Sequence, residues 1–134
     1  MFLTCLIAWW TRRQKSVSSS SAEAEYFAAA LAAREGTYFR DLAEDLELDI
    51  FGPTPLLLDS KSAIDLTFDP VAFKKTKHIL RAANELRDRV AREIFKPTYV
   101  EAALQRADVL TKPLGSTAHR SHLAFLLVEN PHPD

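Results

Sequence analysis

A chain of 134 residues with 47% apolar and 26% charged side chains is long enough to bury one core and too apolar to be disordered. Its 17 basic and 18 acidic side chains leave a formal net charge of -1, so there is no overall field for nucleic acid and any basic surface must be local. The one cysteine, Cys5, can form no internal disulfide, and an intracellular setting, cytoplasmic or nuclear, is expected.

The apolar run over residues 2–10 predicts a buried first strand. It lacks a leading positive charge and has about half the length that a bilayer span requires, so no membrane association is expected. Arg12, Arg13 and Lys15 follow, either as phosphate contacts or as a solvated turn. Ser20 and Glu23 then fit a capping box, in which hydroxyl and carboxylate each satisfy a backbone N–H at a helix start near Ala22. Acids in such a first turn are favoured by the helix dipole by about 0.3 to 1 kcal/mol, so Glu23 and Glu25 need no catalytic explanation on local grounds. Tyr26, Ala29, Ala33, Leu42 and Leu46 make an apolar stripe that carries this helix to about residue 46.

The short run over 55–58, bounded by prolines and an aspartate, predicts a buried parallel strand with Asp59 at its carboxyl end. A helix over 60–68, capped by Ser60 or Asp59, and a loop bearing Lys74, Lys75 and Lys77 come next. Ile79, Ala82, Ala83, Leu86, Val90 and Ile94 recur at helical spacing and predict an amphipathic helix over 76–93. A third strand over 97–100, a short helix over 102–110 and a final helix over 117–128 complete the reading. One domain over 1–128 with a tail at 129–134 is expected, in an α/β fold with a short, mainly parallel sheet packed with helices. In such a layout Glu25, Asp59 and Asp108 all follow the carboxyl edge of the sheet, where ligands of open α/β sheets bind. Three carboxylates converging there repel one another unless a cation lies between them, and hard oxygen ligands suit Mg²⁺ or Mn²⁺.

Four segments carry a family resemblance: residues 10–26 (WTRRQKSVSSSSAEAEY), 58–64 (LDSKSAI), 76–79 (TKHI) and 107–114 (ADVLTKPL). In order and spacing they are similar to the ribonuclease H domain of copia-type retrotransposon polyproteins. The resemblance implies a ribonuclease H-like fold and metal-dependent cleavage of RNA in RNA–DNA hybrids, with the rest of the polyprotein as partner. By motif position it implies that Glu25, Asp59 and Asp108 are the catalytic and metal-binding carboxylates, with Glu23 left as a capping residue. His78 lies in a family motif but is expected to be structural or a weak substrate contact, and His119 with His122 lacks the further ligand that a metal site needs.

The departures shape the expectation. In the family a first aspartate lies on strands that precede the region matched here, and their absence implies a domain truncated at its amino end. Ser60 stands where Asn is usual, Leu80 replaces an acid, and Val100 to Leu104 depart from a polar loop. The isolated chain is therefore expected to hold one divalent ion or none and to hydrolyse little. The alternative is a non-catalytic remnant, which either binds nucleic acid through Arg12, Arg13, Lys15, Lys74, Lys75 and Lys77 or associates with protein. Residues 2–10 are expected either to pair directly with the strand over 55–58 or to leave an apolar edge open to self-association.

Overall fold

The computed structural model describes residues 6–11, 21–68 and 77–126, the side chains of 77–79 excepted. Its contacts divide the chain into two compact units, one of residues 17–100 and one of residues 1–16 with 101–134. The larger unit contains helix α1 (Ser21–Asp45), strand β1 (Thr54–Leu58), helix α2 (Lys61–Phe68), helix α3 (Lys77–Ala91) and strand β2 (Phe95–Tyr99). The smaller contains two short 3₁₀ helices, Ala102–Leu104 and Arg106–Leu110, and helix α4 (Ser116–Leu126). The architecture is α/β, as the alternation of strand and helix patterns predicts.

β1 and β2 pair in parallel, with Thr54 opposite Phe95 and Leu58 opposite Tyr99. One face of this ribbon is covered by helices. Leu58 and Phe95 are buried there with Tyr26, Ala29, Ala30 and Ala33 of α1, Ala63 of α2, and Ala83 and Leu86 of α3. Pro55 and Leu57 point the other way and are exposed, so the predicted burial of this strand holds for alternate residues only.

Small residues let α1 approach its neighbours closely. At Gly36 an added Cβ would stand 2.9 Å from the Phe95 ring. Tyr26, 2% exposed, donates its hydroxyl proton to the Ala83 carbonyl at 3.0 Å and so links α1 to α3 across 57 residues. Arg89 Nε donates to Thr37 Oγ1 at 3.0 Å, a second tie between the same helices. Arg87 Nη2 donates to the Leu66 carbonyl at 3.1 Å and joins α3 to the last turns of α2. At the end of α1, Arg40 Nη1 donates to Thr54 Oγ1 at 2.6 Å and to the Gly52 carbonyl at 3.2 Å, which fixes the turn into β1.

Both long helices of this unit stop in the same way. Leu48 N–H donates to Ala43 O at 2.8 Å and Glu47 N–H to Glu44 O at 2.9 Å. After α3, Ile94 N–H donates to Arg89 O at 2.9 Å and Glu93 N–H to Val90 O at 3.0 Å. These are Schellman caps, normally closed by glycine, yet Glu47 and Glu93 occupy the left-handed position with φ of 56° in each case.

Several expectations require correction. Residues 6–11 form no strand and are exposed, Ile7 at 76% and Trp9 at 63%, so this part of the apolar run is not the buried strand expected. Residues 1–5 lie outside the described residues. The stripe of α1 is buried at Tyr26, Ala29 and Ala33 but exposed at Leu42 and Leu46. Instead of one helix over 102–110 there are two 3₁₀ turns, broken at Gln105, which is extended at φ -70° and ψ 100°. Helix α3 matches its expected span within two residues at each end. Among the described residues no helix is long and apolar enough to cross a membrane.

Two outcomes follow. Glu47→Gly and Glu93→Gly should each raise the urea midpoint with an unchanged slope, by up to about 1 kcal/mol, since glycine removes the left-handed penalty of an L side chain. Burial raises the Tyr26 phenol above its ordinary value of 10.0, and the nearby Arg87 charge offsets this only in part. Its contribution is thus fully present below pH 10.0 and is lost as pH rises through the folded-state value, because only the unfolded chain readily releases that proton. Stability measured against alkaline pH should fall more steeply for this chain than for Tyr26→Phe.

Candidate functional site

Asp59 directly follows the last residue of β1 and is half-buried. The next residue settles which side chain caps α2. Ala63 N–H donates to Ser60 Oγ at 3.2 Å, while Ile64 N–H donates to the Ser60 carbonyl at 3.2 Å. Ser60 is therefore the cap. Serine and asparagine cap equally well, so serine at this position keeps the local geometry that follows Asp59.

Tyr99 ends β2 opposite Leu58, and Val100 N–H donates to the Leu58 carbonyl at 2.9 Å. Asp59 and Tyr99 thus lie at the same carboxyl edge of the ribbon. Lys61, in the first turn of α2, places Nζ 4.9 Å from the centre of the ring of Tyr99, a residue that is 45% exposed. Glu25 is half-buried in the first turns of α1, as is Glu23, and both engage partners, as does Asp59. Ser20, the other half of the expected capping box, lies outside the described residues.

Asp108 belongs to the smaller unit, in the 3₁₀ helix Arg106–Leu110, with its side chain 13% exposed. Lys112 Nζ stands 2.8 Å from Oδ1 and 2.9 Å from Oδ2, so one ammonium spans both oxygens. The Asp108 carbonyl also accepts from Thr111 N–H at 3.0 Å and Lys112 N–H at 2.8 Å, which brings the lysine back over the carboxylate. In the same unit Arg106 packs 4.4 Å from the Phe125 ring centre and lies 3.1 Å from Nδ1 of His122, itself 2% exposed. A guanidinium has only donors, so Nδ1 accepts and the His122 ring is committed to this contact. His119 is exposed.

Among the described residues no group of three or more His, Cys, Asp or Glu side chains is placed to hold a metal ion. Glu25 and Asp59 lie in one unit and Asp108, already compensated by Lys112, in the other. Arg12, Arg13, Lys15, Lys74 and Lys75, with the side chains of Lys77 and His78, lie outside the described residues. A cleft of about 590 Å³ lined by Thr37, Arg40, Glu44, Leu48, Ile50 and Arg92 opens near the start of β1, away from Asp59, and holds none of the expected site residues.

Sequence reasoning missed Lys61, Tyr99 and Lys112. The four-residue spacing of Asp108 and Lys112 was a usable signal for one pair. Lys61 meets Tyr99 only through strand register, which no local pattern reveals. Loss of the cap should be measurable: Ser60→Ala is expected to lower stability to urea by about 1 kcal/mol, with Ser60→Asn close to the parent chain.

Sequence comparison adds an independent finding. The chain is 32% identical over 115 residues, 86% of its length, to the retrovirus-related Pol polyprotein from transposon RE1 of Arabidopsis thaliana. It is 31% identical over 115 residues to that from transposon RE2 of the same plant. It is 33% identical over 106 residues, 79% of its length, to that from transposon TNT 1-94 of Nicotiana tabacum. The matched stretch makes up 8% of each relative. No family model and no solved structure matches. Over most of its length, this chain is thus a homologue of a short segment of copia-type retrotransposon Pol polyproteins.

Proposed function

We propose that this chain is the ribonuclease H-like segment of a Pol polyprotein, contributing Asp59 to cleavage of the RNA strand of RNA–DNA hybrids. The observation that carries the reading is the position of Asp59. It ends β1 of a parallel pair, at the carboxyl edge, and is followed at once by a serine-capped helix. Four motifs in family order and the Pol homologues support the same reading.

Divalent ions, where such a centre is complete, activate water and stabilise the leaving oxygen. Asp59 supplies one carboxylate toward that set, and Glu25 is the second candidate in the same unit. Hydrolysis is proposed for the Pol polyprotein that carries this segment.

A second reading, a non-catalytic binding module, is favoured by the Lys112 ammonium that spans the Asp108 carboxylate and by the exposed side chains of Leu6, Ile7, Trp9 and Trp10. The test is cleavage of a labelled RNA–DNA hybrid in Mg²⁺ and in Mn²⁺ by the chain and by a longer Pol protein containing it. Cleavage is expected from the longer protein, little from the chain, and none from the longer protein carrying Asp59→Asn. Wild-type cleavage by the Asp59→Asn protein would remove the nuclease role of this segment.

A further inference from the structure

The basic residues that the sequence offers for nucleic acid are those of residues 12–15 and 74–77. The described residues bring a different pair to the edge where Asp59 lies. Lys61 is two residues beyond Asp59 and exposed, and Tyr99 lies opposite the residue before Asp59. Among the described residues Lys61 makes no ion pair, and its ammonium rests 4.9 Å from the centre of the Tyr99 ring. Tyr99 is 45% exposed, although it sits at the end of a strand whose first member, Phe95, is 3% exposed.

We propose that Lys61 and Tyr99 form a contact for the sugar–phosphate backbone and an adjoining base or sugar of a nucleic-acid strand that runs past Asp59. The inference rests on the nuclease reading for the role of Asp59 and adds the groups that hold the strand there.

Three features support a nucleic-acid ligand. An exposed lysine held against a partly exposed tyrosine matches the alternation of phosphate and flat ring along a strand, and stacking tolerates any base. Lys61 has no carboxylate to neutralise it among the described residues, so its charge remains available to a phosphate oxygen. The contact of ammonium with ring holds the long lysine side chain over Tyr99, which reduces the ordering that binding would otherwise require. The chain as a whole has a net charge of -1, so binding that depends on so few cations should be modest and should weaken with salt.

The experiment is fluorescence anisotropy of a labelled RNA–DNA hybrid and of its single strands with the purified chain, across a salt series and without divalent ions. Lys61→Gln should weaken binding and reduce the salt slope by about one unit. Tyr99→Ala should weaken binding about tenfold with an unchanged slope, and Tyr99→Trp should restore it. Circular dichroism on each variant separates loss of contact from loss of fold, and Tyr99→Trp keeps the ring in case the alanine variant unfolds. Binding by folded Lys61→Gln and Tyr99→Ala at parent affinity, or no binding by the parent chain, would overturn the proposal. The two readings fail separately. Sensitivity to Lys61 and Tyr99 without Asp59-dependent cleavage in the longer protein keeps the contact and removes the nuclease role. Asp59-dependent cleavage with parent affinity in both variants does the reverse.

Discussion

The approach of α1 to α3 is the constraint on which the larger unit depends. Ala29, Ala30 and Ala33 present almost no side chain, so the two helices can approach closely, and Leu86 is buried in the same cluster. Tyr26 reaches across to the Ala83 carbonyl, and a buried hydroxyl that finds an acceptor avoids the cost of desolvation without a partner. The cap at Glu93 then turns the chain out of α3 and into Phe95 within two residues. β2 is thereby delivered alongside β1, and the parallel register places Tyr99 level with the residue before Asp59. The candidate site is thus a consequence of helix packing at the other side of the sheet.

The acids at matching motif positions differ in their electrostatic situations. Ser60 caps α2, its hydroxyl accepting from the N–H of Ala63, and Asp59 engages a partner of its own. Asp108 is closed by a lysine four residues on, at 2.8 and 2.9 Å, with little exposure to solvent. A carboxylate spanned by an ammonium in this way gains less from a further cation.

Some elements were legible because their causes are local. The apolar spacing from Ala82 to Val90 allows only a helix, and a proline-bounded Leu-Leu-Leu run ending in Asp allows little but a strand. Ser60 was one of two caps the sequence offered, and geometry chose between them. The apolar run before Thr11 was misread because hydrophobic composition states a tendency to be buried but not which surface accepts it; in the described part, Leu6 to Trp10, the residues form no strand and the side chains are exposed. The helix ends at Glu47 and Glu93 gave no signal because the expected residue, glycine, is absent and the hydrogen-bond pattern closes around glutamate instead.

The sequence by itself determined the α/β class, the long helices, the order of the motifs and hence the kinship with Pol polyproteins, since each of these depends on residues near one another in the chain. Tertiary structure alone decided that Leu56 and Leu58 turn inward while Leu57 does not, that Lys112 closes Asp108, and that Lys61 meets Tyr99 beside Asp59. Those outcomes depend on strand register, on how closely alanine-faced helices approach, and on which turn brings an ammonium back to a carboxylate. They are properties of packing, and packing is fixed only when segments distant in sequence meet.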